Sequence, residues 1–135
     1  RIPFHSGLQG HSDGDVIIHS IIDAILGALR RKDIGSLYPS SKKKFKNIRS
    51  SKMLSPIISL LKNNNYNINN LDINLICEKP KVSKYRNKII KSLSKLININ
   101  KNIINLKGKT VEKLGLIWKE QAIACESIIS INKYE

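Results

Sequence analysis

Stretches with apolar residues at helical spacing alternate with stretches that read as strands, and this alternation restricts the chain to a sheet covered by helices. Residues 13–30 place Val16, Ile17, Ile21, Ile22, Ile25, Leu26 and Leu29 at helical intervals, with Ser12 or Asp13 available as the N-cap. A second helix is expected from about Ser50 to Lys62, where Pro56 marks either a kink or a later start. The run "LDINLICEK" alternates apolar and polar residues and then ends apolar, as a strand half exposed and then buried would. Helical spacing returns in "SKYRNKIIKSLSKLI" through Ile89, Ile90, Leu93, Leu96 and Ile97, and "NIINLKGKT" and "QAIACESIISINK" read as two further strands. The loop "RRKDIGSLYPSSKKKFKN" is punctuated by Gly35 and Pro39, and "NNNYNINN" reads as a polar connection. The expected fold class is α+β: an α/β sandwich whose mixed sheet is covered by helices, without internal repeats.

Size and composition narrow the class further. A chain of 135 residues has room for one core, and 41% hydrophobic residues is a globular composition. A bilayer crossing needs about 20 apolar residues; the longest candidate, Ile17 to Leu29, is interrupted by His19, Ser20 and Asp23. The chain opens on Arg1 and shows no secretory leader pattern, so its start is expected to be a processed or cropped end with upstream sequence missing. Cys77 and Cys125 are far apart and form neither a metal-type pair nor a disulfide framework; both are expected to be reduced and buried.

The formal net charge is +14. Lys42, Lys43, Lys44 and Lys46 form the densest basic run, and Lys79, Lys81, Lys84, Arg86 and Lys88 form a second cluster. An excess of this kind suits polyanions, either nucleic acid or phosphorylated small molecules. The Asn-, Lys- and Ile-rich texture of "LININKNIINLK" also fits the drift of an AT-rich coding sequence. Aromatic residues, 5% of the chain, are not interleaved with the basic runs, which weakens a base-stacking reading.

Asp15, His19 and Asp23 recur every four residues among the isoleucines of the first helix. Positions four apart are displaced by only about 40° around a helix, so the three share a side. Imidazole is a common metal donor, and a neighbouring carboxylate can hold its second nitrogen in one tautomer. The alternative is an ordinary ion pair or the preference for acidic residues at a helix start. His11 lies eight residues before His19, about 12 Å along a continued helix, and should have a separate role.

The segments "RIPF…GLQGHSDGDVIIHSIIDAILGAL…DIGSLYP" closely resemble the N-terminal signature of the 2-C-methyl-D-erythritol 2,4-cyclodiphosphate synthase family. "NLDINLICEKPKV" is similar to that family's strand and Pro-Lys loop, and "KTVEKLG" followed by "AIACESI" to its C-terminal segment and final strand. The similarity runs in order over nearly the whole chain. It implies a phosphorus–oxygen lyase of non-mevalonate isoprenoid synthesis that cyclises 4-diphosphocytidyl-2-C-methyl-D-erythritol 2-phosphate and releases CMP. It also implies a homotrimer with active sites between subunits, with zinc and with magnesium or manganese as cofactors.

Residue by residue, the resemblance implies that His19 is a zinc ligand and that Glu112 holds the second ion. His11 and Ser12 would touch substrate phosphates, and Asp33, Ile34 and Gly35 would line the methylerythritol pocket. Cys77, Pro80, Lys81 and Val82 would build the cytidine pocket, and Thr110 would meet the diphosphate. His11, Thr110 and Glu112 are the expected catalytic residues. Asp15 and Asp23 also match the pattern, as groups that orient neighbours or serve the helix start. The partner implied is a cytidine-diphosphate small molecule, with no nucleic acid and no membrane. The expected compartment is a plastid-type organelle in a eukaryote and the cytoplasm otherwise.

The chain also departs from the family pattern. No Asp-x-His pair precedes Arg1, so residues 1–135 are expected to form a single synthase-like domain lacking its N-terminal strand. Lys109 and Val111 flank Thr110 where threonines are usual, and Ser40 and Ser41 replace acidic residues. "IWKEQA" puts Lys119 at an arginine position, which loses a bidentate fork. These departures leave an inactive trimeric relative as one alternative; the charge leaves a basic RNA-binding module as another.

Overall fold

The computed structural model describes residues 13–39, 49–77, 82–110 and 123–134. Helix α1 (Asp13–Ala28) carries Ile17, Ile21, Ile22, Ile25 and Leu26, each at most 1% exposed. Burial of each such side chain contributes about 1.5–3 kcal/mol, so this helix is the spine of the core. A short helix, α2 (Ile34–Leu37), follows inside the stretch read from sequence as loop. Helix α3 (Ser50–Asn63) begins at Ser50 and runs through Pro56, whose ring lies on the exposed side while Met53, Leu54, Ile57, Ile58 and Leu61 are buried. Helix α4 (Arg86–Ile97) follows a 3-10 turn at Val82–Lys84 and buries Ile90, Leu93 and Ile97. It stops at Asn98, whose φ of 61° is a left-handed conformation that asparagine tolerates.

The sheet has the order β2-β1-β3, with β1 (Tyr66–Ile76) in the middle. β2 (Ile104–Lys109) runs parallel to it, from Leu71 opposite Ile104 to Ile76 opposite Lys109. β3 (Ala124–Lys133) runs antiparallel, from Tyr66 opposite Lys133 to Ile76 opposite Ala124, with an irregularity between Ile68 and Asn70. The mixed sheet under helices is the architecture expected from the sequence. Leu71, Ile73 and Leu75 of β1 and Ile104 and Leu106 of β2 form its buried face. The helices divide that face among them: α1 packs over β3, α3 over β1 and α4 over β2.

β1 begins earlier than the sequence suggested. Tyr66, Asn67, Ile68 and Asn70, read as part of a polar connection, pair with the far end of β3. Asn67, Asn69 and Asn70 are exposed there and only Tyr66 and Ile68 are partly buried, an alternation too short to stand out among the asparagines. The cysteines also differ from expectation in part. Neither cysteine forms a disulfide and Cys77 is buried, but Cys125 is only half-buried because it lies on the edge strand β3. Partial burial still raises its thiol pKa.

The opposite face of the sheet has no helix over it among the described residues. Asp72 accepts hydrogen bonds there from Lys107 Nζ at 2.8 Å and Asn105 Nδ2 at 3.1 Å. The Lys107 hydrogen bond lowers the carboxyl pKa of Asp72. Ile128, which pairs with Asp72 across the β1–β3 ladder, is 71% exposed.

Candidate functional site

The structure gathers the described candidates into two sets. The first lies on α1 and α2. His19 is half-buried one turn before Asp23 on α1, and its imidazole has no hydrogen-bond partner among the described residues. Asp23 Oδ1 accepts the backbone N–H of Ile34 at 2.8 Å. Asp33 in turn caps α2, its Oδ1 accepting from Ser36 N and Ser36 Oγ, each at 3.0 Å. A carboxylate at this position suits the positive end of a helix. On the far side of the turn, Tyr38 Oη donates to Met53 O of α3 at 3.2 Å, and burial raises the tyrosine pKa. The turn Asp33-Ile34-Gly35 is thus fastened to the helix of His19, about 6 Å further along the axis.

The two carboxylates of the α1 stripe therefore act as tethers. Asp15 accepts a hydrogen bond from Ser50 Oγ at the start of α3, and Asp23 holds the start of α2. Periodicity placed them on one side of the helix with His19 but could not show that each reaches a different neighbouring element. Asp23→Ala is expected to release the turn, costing about 1 kcal/mol locally and accelerating amide hydrogen exchange at Ile34 about fivefold. Exchange at the unsubstituted rate would show that the tether has no such effect.

The second set lies at the carboxyl ends of the two parallel strands, where open α/β sheets commonly bind ligands. Cys77, just beyond β1 and 6% exposed, donates its N–H to Lys109 O at 3.0 Å. Thr110 follows β2 directly and is exposed. Val82 is buried against the end of β2, where a Cβ on Gly108 would lie 2.7 Å from Val82 Cβ. Only a glycine at position 108 lets the 3-10 turn close on the strand this tightly. The sequence reading missed this contact, for which the only signal was a glycine inside a strand pattern.

The first set sits over β3 and the second beside β2, and no hydrogen bond among the described residues joins them. His11, Ser12, Pro80, Lys81 and Glu112 lie outside the described residues, as do Ser40, Ser41, the Lys42–Lys46 run, Val111 and Lys119. A half-buried imidazole is chemically a good zinc donor, so His19 fits as one ligand. No group of three potential metal ligands forms among the described residues, and further donors would come from outside them.

A sequence profile of the YgbB family matches residues 1–132. The bifunctional enzyme IspD/IspF of Pelagibacter ubique is 53% identical over 133 residues, which are 98% of this chain and 36% of that protein. The chain thus spans little more than a third of that relative. The 2-C-methyl-D-erythritol 2,4-cyclodiphosphate synthase of Clostridium kluyveri is 44% identical over 128 residues, covering 95% of this chain and 78% of that one. Among solved structures, the CDP complex of IspF from Plasmodium falciparum superposes with a TM-score of 0.82 at 45% identity, over 93% of this chain and 76% of that one.

Proposed function

This chain belongs to the YgbB family, and on that premise we propose that it is a 2-C-methyl-D-erythritol 2,4-cyclodiphosphate synthase. The reaction closes a ring within 4-diphosphocytidyl-2-C-methyl-D-erythritol 2-phosphate. An oxygen of the 2-phosphate forms a bond to the β-phosphorus, the bond from that phosphorus to the bridging oxygen breaks, and CMP leaves with the electron pair. The observation that carries this reading is the Asp23–Ile34 hydrogen bond, which fastens the Asp33-Ile34-Gly35 turn to the helix of His19.

The attacking phosphate has a second pKa of about 6 and is already ionised at neutral pH, so no strong base is needed. The barrier lies in bringing two anionic groups together and in the charge that gathers on the leaving phosphate. Pre-positioning of this kind can supply roughly 7–11 kcal/mol in favourable cases. Asp33, Ile34 and Gly35 would hold the methylerythritol body, and Cys77, Pro80, Lys81 and Val82 would hold the cytosine end. Thr110 would donate its hydroxyl proton to a diphosphate oxygen. His11 and Ser12, at the N-terminal side of α1, would hydrogen-bond anionic oxygens beside the positive end of the helix. His19 would be a ligand of zinc, and Glu112 of magnesium or manganese. When bound, such ions orient phosphate oxygens and neutralise developing charge.

We also propose a homotrimer with active sites between subunits. Two features of the described residues support it: no hydrogen bond among them joins the two sets, and no helix among them covers the face of the sheet that carries Ile128. No helix among the described residues is long and apolar enough to cross a membrane. A plastid-type organelle in a eukaryote, or the cytoplasm in a bacterium, is the proposed setting.

The test is to supply the substrate with zinc and magnesium and to follow both products by phosphorus NMR. Equimolar CMP and cyclic diphosphate are expected, and absence of both would reject the proposal. Glu112→Gln is expected to raise the magnesium concentration for half-maximal CMP release about tenfold. An unchanged magnesium titration would remove Glu112 from the metal-binding role.

A further inference from the structure

The proposed active site uses only a few of the chain's basic residues. Arg86, Lys88, Lys91 and Lys95 lie on α4 and Lys101 follows it, while no Asp or Glu occurs anywhere between residues 79 and 111. At the start of α4 this charge borders a groove of about 870 Å³. Arg86, Asn87 and Lys91 line one flank, and Lys101, Asn102 and Asn105 contribute to the rest. Ile90, Ile103 and Ile104 supply apolar surface within it. The volume lies within the roughly 300–1,000 Å³ usual for small-molecule sites.

None of the described residues of the proposed active site lines the groove, although Val82 lies only one turn before Arg86. Ile104, which lines it, begins β2, whereas Thr110 follows the other end, about 20 Å away along an extended strand. Its arginine is held in a fixed pose: Arg86 Nε donates to Leu106 O at 3.0 Å, and Nη2 donates to Asn105 Oδ1 at 2.8 Å. A guanidinium carries five N–H donors, so others remain for a ligand. The carboxylate nearest in this network, Asp72, is taken up by Lys107 and Asn105 and does not line the groove. Neither Lys91 nor Lys101 has an ion-pair partner among the described residues.

We propose that this groove is a second anion site, which takes a small molecule carrying a phosphate or diphosphate. A fixed guanidinium and two mobile ammonium groups suit a compact cluster of phosphate oxygens, with the asparagine amides as further donors. No aromatic side chain among the described residues lines the groove, so none of them would stack on the bases of a nucleic acid. The isoleucines accommodate the body of a phosphate ester. The inference does not depend on the synthase reading.

Pyrophosphate titrated into the full protein, with backbone amide shifts followed by NMR, tests the proposal site by site. Saturable shifts are expected at Asn87, Asn102 and Lys101, with a Kd of about 1 mM or tighter. The double variant Lys91→Gln/Lys101→Gln changes two exposed side chains and should fold normally. It is expected to weaken binding at these amides about tenfold, while Lys95→Gln, on the same helix but outside the groove, leaves it unchanged. CMP release should be equal in all three proteins, so loss of activity and loss of this site are read independently. Absence of saturable shifts at these amides would overturn the proposal, as would equal weakening by Lys95→Gln. Tighter binding of an oligothymidylate than of pyrophosphate, weakened alike by every lysine variant, would overturn it in favour of a nucleic-acid surface.

Discussion

His19→Ala is expected to yield a folded protein that retains no zinc and releases CMP at least about a thousandfold more slowly, a loss corresponding to the several kilocalories a metal ion contributes to phosphoryl chemistry. The fold should survive because His19 is only half-buried and makes no hydrogen bond to any described residue. Alanine is also the better helix former, and the buried isoleucines of α1 point elsewhere. Elemental analysis and a CMP assay on the same preparation check both halves of the expectation. Stoichiometric zinc together with normal CMP release would show that the imidazole is not a ligand. Lost zinc with intact turnover would separate the metal from the reaction.

Ile73→Ala should have the largest effect on stability. Ile73 lies in the central strand, fully buried, between Leu106 on β2 and Ser127 on β3. Removing a core isoleucine side chain costs about 2–5 kcal/mol, the sum of lost transfer energy and the cavity left behind. Every helix that packs on the sheet meets this layer, so little relaxation is available to close the gap. Against a typical stability of about 5–15 kcal/mol, the expected fall in Tm is roughly 10–20 °C. Differential scanning calorimetry measures it directly, and a shift below about 3 °C would mean that the site collapses far more readily than its packing indicates.

The helices were legible because burial on one side leaves a periodic trace. Ile17, Ile21 and Leu26 on α1, and Ile90, Leu93 and Ile97 on α4, repeat at helical intervals for that reason. The early part of β1 was not legible, because Asn67 and Asn70 gain strand pairing without burial and the register shifts at the exposed Asn69 between them. α2 was hidden for a related reason: it has four residues, none of them buried, and exists through its Asp33 cap and the Asp23 tether. For the candidate site, the motif spacing singled out His19 and Asp33 to Gly35. It could not show that Asp23 joins them, since a hydrogen bond across eleven residues depends on how two elements meet.

By itself the sequence determined the three long helices and the buried parts of the strands, that one face of the sheet must be covered, and which residue types were available for phosphate chemistry. Those properties depend on local spacing and on transfer of apolar side chains from water, and both are encoded along the chain. Only the tertiary structure decided that Asp15 and Asp23 are struts between helices, that Gly108 admits Val82 against β2, and that the basic residues of α4 border a groove remote from Thr110. Each of these requires the distance between atoms far apart in sequence, which is set by how the helices pack on the sheet.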